Sequence, residues 1–152
     1  MSTLPLFRAI AIGLTGGARA MTPLAAVANA ARTHRLPADK DAPDWLASPL
    51  ISVGATALAV YELVGDKQPS APDRIIPPAV VVRTLNAAFA GAMIAPRKHR
   101  WAAAAIAGGT AAVASWVTWK VRMRSMQRHS QSATGFIEDA VVVPTAIAAV
   151  TH

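Results

Sequence analysis

Six charged side chains stand in or beside otherwise apolar stretches: Arg19, Glu62, Asp66, Arg83, Glu138 and Asp139. A charge inside an apolar element is costly unless it is paired or hydrated, so these residues are the candidates for a polar centre or an ion pathway. Glu62 and Asp66 are four apart and share a helix face if the helix extends that far. Two carboxylates on one face repel, and they need an arginine, a lysine, a bound cation or a shared proton. Arg19 and Arg83 are the natural counter-ions, and Glu138 with Asp139 gives a second acidic pair near the start of the last apolar segment. Three kinds of chemistry suit such a set. The charges can form closed ion pairs that hold helices together, they can lie at headgroup level, or they can line a path for a cation, a proton or a small polar solute. Asp73-Arg74, with prolines on both sides, reads as a loop brace rather than a site.

Catalytic readings find little support. The four histidines, His34, His99, His129 and His152, stand in loops or at the terminus and show no metal-ligand spacing. There is no His-Glu-x-x-His and no phosphate-cradling glycine loop before a lysine and a hydroxyl. Ser48 and Ser115 have no evident base nearby in sequence, and Gly16-Gly17 offers only a weak anion-binding signal through its backbone N–H groups. The absence of cysteine excludes disulfides, thiol chemistry and Cys-ligated zinc. The expectation is a protein that is not an enzyme, with no cofactor and no metal.

The elements that must position the six charges are apolar helices. Residues 101–119, WAAAAIAGGTAAVASWVTW, carry no charge and are flanked by Arg97, Lys98, His99 and Arg100 on one side and by Lys120, Arg122, Arg124 and Arg128 on the other. At ~1.5 Å per residue this stretch crosses most of a hydrocarbon core of about 30 Å. Over the whole chain of 152 residues, 53% are hydrophobic and 15% charged, against roughly 25% charged in a typical soluble domain. Mean hydropathy is +0.36. Alanine dominates; it favours helix but contributes little buried area, and hydrogen-bonded helices in lipid solve that problem better than a soluble core does. The net charge of +7 reads as lysines and arginines that anchor spans. Nucleic acid is not an expected partner, because no basic helix is interleaved with aromatics and no finger spacing occurs.

Along the chain, a first apolar block covers residues 4–15 and a second covers 20–31, with Gly13, Gly16, Gly17, Arg19 and Thr22-Pro23 between or within them. They form either one long helix broken near the glycines or at Pro23, or a tight pair of short helices. The N-terminal stretch has some features of a signal peptide, but Arg8 interrupts its apolar run, and a retained first helix is expected. Residues 32–45 read as a surface loop. Ser48-Pro49 is a helix start with serine as N-cap, running to about Gly65. A proline-rich loop follows over 67–78, then apolar segments at 79–95, 101–119 and 136–150, with residues 120–134 as a basic polar connection. Gly13 with Gly17, Ala87 with Gly91 and Ala95, and Ala104 with Gly108 and Ala112 form small-residue stripes that allow close helix packing. Trp45, Trp101, Trp116 and Trp119 fall near the expected boundaries. Five or six membrane elements result; six would divide three and three, as an inverted repeat does.

Two segments carry a resemblance: GGARAMTPLA at residues 16–25 and VYELVGDKQPSAPDR at residues 60–74. With the late Glu138-Asp139 pair, they resemble a bacterial membrane-protein family known as domain of unknown function 4126. The matching positions are Arg19, Thr22, Pro23, Glu62, Leu63, Asp66, Lys67, Pro69, Asp73, Arg74, Glu138 and Asp139. The resemblance covers nearly the whole chain. It implies a compact integral membrane protein and supplies no reaction or substrate.

The sequence thus leads to an all-α fold, a polytopic transmembrane helix bundle with at least one broken helix, forming a single membrane domain over residues 1–152. The expected location is the bacterial inner membrane, in multi-pass form, with the lipid bilayer and a second copy of the chain as partners. The preferred function is a small transport or channel-like role for an ion or small polar solute, with Arg19, Glu62 and Asp66 lining a polar centre. The alternative is a non-catalytic scaffold or partner-binding subunit in which the same charges are closed pairs.

Overall fold

The computed structural model describes residues 3–38, 41–68 and 75–151. They form six helices: α1 (Thr3–Ala18), α2 (Thr22–Arg32), α3 (Pro49–Gly65), α4 (Pro77–Met93), α5 (Arg100–Met126) and α6 (Gln131–Val150). No strand occurs among the described residues. Prolines open α2, α3 and α4 in the first turn, where a missing N–H leaves no intrahelical bond unmade. Ser48 stands at the N-cap of α3 as expected, but its hydroxyl makes no capping bond.

The first two apolar blocks are a pair of helices, and the chain reverses between them. A continuous helix would separate Gly16 from Pro23 by about 10 Å along its axis. Here a methyl group placed on Gly16 would lie 3.5 Å from the Pro23 ring. From Ala20 onward α2 runs antiparallel to α3: Ala20 and Met21 meet Glu62, and Asn29 meets Thr56. The break falls at residues 19–21, after the glycines and before Pro23, because both weaken helix on either side of that point.

Two expected boundaries move. The helix expected over residues 101–119 continues to Met126, so Lys120, Arg122 and Arg124 lie on α5 and not in a loop. The last helix starts at Gln131 instead of residue 136, because the Ser130 hydroxyl caps it by accepting from the Ala133 N–H at 3.2 Å. Pro144 lies inside α6.

Small residues set the packing. α1 runs parallel to α5, with Gly13 against Ala107 and Thr110 and Gly17 against Ala111 and Ala114. α4 runs antiparallel to α5, and Gly91 lies against Ala103 and Ala107. A Cβ at Gly17 would stand 2.5 Å from the Ala114 Cβ, so that crossing requires glycine. The buried stripe of α5 is Ala103, Ala107, Ala111 and Ala114 with Gly108; the expected partners Ala104 and Ala112 are only half-buried. At one end of the bundle, the Arg97 N–H donates to Asp41 at 3.1 Å and Arg100 Nη2 donates to the Asp41 carbonyl at 2.6 Å, joining the loop after α2 to the α4–α5 turn.

The distribution of bulk is inverted relative to a soluble domain. Fully buried positions are mostly alanine (Ala9, Ala28, Ala87, Ala90, Ala107), whereas Leu50, Val53, Tyr61, Trp101, Phe136 and Ile137 are each more than 60% exposed. Two helical segments, Arg97–Met126 and Gln131–Val150, are long and apolar enough to cross a membrane. Only 33% and 28% of their apolar windows are buried within the molecule, unlike the core helices of a soluble protein. α1 (from Pro5) and α3 are apolar but shorter.

The packing sets a contrast between two glycines. Gly17→Ala should lower stability in detergent by about 1–3 kcal/mol through overpacking. Gly109→Ala, where nothing lies within 4 Å of the added Cβ, should be neutral or stabilising by up to ~1 kcal/mol. Thermal unfolding of both variants in mild detergent checks this.

Candidate functional site

The helix break brings Arg19 to the end of α1 and buries it completely, the largest side chain so enclosed among the described residues. Its guanidinium meets acids from two distant parts of the chain. Nε donates to Asp139 Oδ1 at 2.8 Å, and Nη1 donates to Asp66 Oδ2. Nη2 lies 2.6 Å from Asp139 Oδ1 and 3.4 Å from Glu138 Oε2, close enough for ion pairing although neither contact has the direction of a hydrogen bond. Asp66 caps α3 at its C-terminus, and Glu138 and Asp139 lie between the second and third turns of α6.

Two further cations complete the cluster. Lys67 donates to Asp139 Oδ2 and, at 2.7 Å, to the Leu63 carbonyl, and its ammonium stands 4.6 Å from the centre of the Phe136 ring. Arg122 on α5 places Nη1 3.5 Å from Glu138 and 3.7 Å from Asp66, and donates through Nη2 to the Asp66 carbonyl. Three cations (Arg19, Lys67, Arg122) thereby face three carboxylates (Asp66, Glu138, Asp139). The three carboxylate side chains are 14–16% exposed, so the cluster lies near one end of the bundle with its anions toward the outside.

Glu62 performs a different task. Its Oε1 accepts from the Ala20 N–H at 2.7 Å and its Oε2 from the Met21 N–H at 2.8 Å. Those are backbone donors that the break leaves without intrahelical partners, at the N-terminal end of α2, where the helix dipole favours an anion. The fourth carboxylate is thus held by backbone N–H groups, outside the ion-pair set. Asn86 Nδ2 supplies the matching donor, 3.3 Å from the Ala20 carbonyl. The broken backbone is sealed by one side chain from α3 and one from α4.

Of the six residues singled out by sequence, five converge here. The expected pairing of Arg19 with Asp66 holds. Arg83 is buried on α4, but among the described contacts it does not join Arg19, Glu62, Asp66, Glu138 and Asp139. Glu62 and Asp66 do not share a counter-ion: α3 ends at Gly65, and the two side chains go to separate partners. Asp73, Arg74 and Pro69 lie outside the described residues, so the loop brace does too. Sequence reasoning missed Arg122, Lys67 and Asn86 as members of the site. Arg122 was visible in principle: it falls seven residues after Ser115 and eleven after Ala111, on the buried face of α5.

An apolar groove of about 450 Å³ flanks the cluster between α1, α5 and α6. It exists because α5 and α6, joined by a short turn at residues 127–130, pack little on each other: α5 packs on α1 and α4, and α6 mainly on α1. A second groove, of about 360 Å³, lies between α2, α3 and α6. No group of three or more metal-ligating side chains occurs among the described residues.

Fold and site together define an all-helical bundle with apolar outer faces and a buried ion-pair cluster clamped on a broken helix. Residues 6–152 match the family described as domain of unknown function (DUF4126), and the chain belongs to that family. No curated protein and no solved structure matches it.

Removing the central cation tests the cluster. Arg19→Gln should cost about 3–5 kcal/mol of stability, the range for breaking a buried pair. Adding Asp139→Asn to Arg19→Gln should cost less than Asp139→Asn alone in the native background, since the two share one network. Chemical unfolding of the two single variants and the double variant in detergent measures both effects.

Proposed function

We propose that this chain is a multi-pass protein of the bacterial inner membrane, not an enzyme, that acts as a non-catalytic scaffold or partner-binding subunit. The observation that carries this reading is the closure of its polar centre. Arg19 is enclosed by Asp66, Glu138 and Asp139, and Glu62 is occupied by two backbone donors. Charges so arranged hold three segments of chain together and leave their bonding capacity inside the protein. The groove beside them is lined mainly by Leu14, Val117, Val121, Ile137, Val141 and Val142, a surface suited to acyl chains or to another apolar helix. The outward-facing bulk of α3, α5 and α6 supports burial in lipid, where helices without charged outer faces are the favoured solution. A second copy of the chain is a natural partner for those faces.

A second reading rests on the break itself. Transporters place the ends of discontinuous helices at their binding sites. The α1–α2 break does the same with Arg19, Glu62 and Asp66, so an ion or a small polar solute would meet this cluster first.

One pair of measurements separates the readings. In proteoliposomes, the unmutated chain should pass no H⁺, Na⁺ or K⁺ above the empty-vesicle rate, and Glu62→Gln should lower the unfolding temperature in detergent. Flux through the unmutated chain that Glu62→Gln abolishes would instead establish the transport reading. Location has its own check, made clean by the lack of native cysteine. Lys98→Cys and Gln127→Cys, at opposite ends of α5, should react with an impermeant maleimide from opposite sides of the membrane. Labelling of both from one side, or recovery of the folded chain from detergent-free buffer, sinks the membrane reading.

A further inference from the structure

We infer that the groove between α1, α5 and α6 is a binding site for one anionic phospholipid, with an acyl chain along the groove and the phosphate at the C-terminal end of α5. The inference rests on the membrane reading above. Three observations converge on it.

The first is length. On α6 the groove runs from Thr134 to Thr145, about 16 Å at ~1.5 Å per residue. One leaflet of hydrocarbon is about 15 Å deep, half of the full core. The groove therefore matches a single leaflet.

The second is continuity between unlike surfaces. Ser125 lines the apolar groove and also a polar pocket of about 530 Å³ formed with Arg124, Gln127, Arg128 and His129. An apolar groove that meets a basic surface hollow at Ser125 has the polarity order of a phospholipid.

The third is charge complementarity. The three cations of the buried cluster have carboxylates, but Arg124 and Arg128 are exposed and make no ion pair with the described acids. Arg122 and Glu138 line the groove near that end but are engaged with each other, Arg122 also with Asp66 and Glu138 also with Arg19. The positive charge left over beyond the groove is thus that of Arg124 and Arg128, and a phosphate at headgroup depth satisfies it. A second apolar helix would fill the groove and leave the two arginines uncompensated, and a zwitterionic lipid would bring its own cation beside them along with its phosphate.

The test uses the full chain purified in mild detergent. Retained lipid is read by native mass spectrometry after addition of phosphatidylglycerol, phosphatidylcholine of the same acyl chains, or glycerol 1-phosphate. The expected result is one retained phosphatidylglycerol, weaker retention of phosphatidylcholine and none of glycerol 1-phosphate. Arg124→Gln and Arg128→Gln should each weaken phosphatidylglycerol retention about fivefold and leave phosphatidylcholine unchanged. Val141→Phe and Val117→Phe put bulk into the groove at exposed positions that tolerate it, and should reduce retention of both lipids. Equal retention of the two lipids, insensitivity to the arginine variants, or undiminished retention in both phenylalanine variants overturns the inference. Glycerol 1-phosphate retained as well as the lipid overturns it too, because the groove would then contribute nothing. A chain that stays folded and monodisperse without detergent would refute the membrane reading instead, so the two failures are distinguishable.

Discussion

The structure depends on giving one buried guanidinium enough company. Arg19 lies at the point where α1 stops and the chain turns back, in a bundle whose buried positions are mostly alanine with a few larger apolar residues such as Ile12, Val27 and Leu46. Such an interior has little area to drive association, and among the described residues no other side chain of that size is fully enclosed. An unpaired cation there would be prohibitive. Its three acidic partners come from the end of α3 and the start of α6, so neutralising it fixes both against α1. Arg122 and Lys67 then balance the acids and bring α5 into the same set. What reads as a site is also the joint at which four helices are fastened.

The break is coupled to this joint without sharing its charges. Reversal after Ala18 strands backbone donors and acceptors that a continuous helix would have used. Glu62 takes two of the donors and Asn86 one acceptor. A carboxylate with no side-chain cation in its described bonds is tolerable because the first turn of α2 presents the positive end of its dipole to it. Glu62 and Asp66, four residues apart, thus avoid each other by serving different partners, one electrostatic pair and one backbone clamp.

Much of this was legible beforehand, and the misses have physical causes. Residues 101–119 were recognisable because lack of charge over that length has few other meanings, and Gly13, Gly17 and Gly91 lie where the stripes put them. The pairing of Arg19 with Asp66 followed from the cost of leaving either alone. Arg122 was missed because a run of basic residues after an apolar segment looks like an anchor, and only the helical phase carried past Trp119 turns one of them inward. Lys67 was hidden in a segment read as loop. Arg83 is buried on α4, one turn from Asn86, and is absent from the described ion pairs of the cluster. The resemblance to the family was read correctly from its motifs, but a family without an assigned activity cannot say whether a charged centre conducts or merely holds. Closure of the cluster moves the preferred reading from passage to attachment.

The separations in sequence within the cluster bear on how the protein is made. Arg19 finds Asp66 47 residues later and Asp139 120 residues later. A nascent chain that has released only its first two helices holds a cation with neither acid yet in place. The N-terminal hairpin gains its first acidic partner only with the end of α3, and its full set only when the last helix emerges. Final seating of the first segment to be synthesised is then among the last events of assembly, and truncation near the C-terminus would leave the beginning of the protein unable to settle.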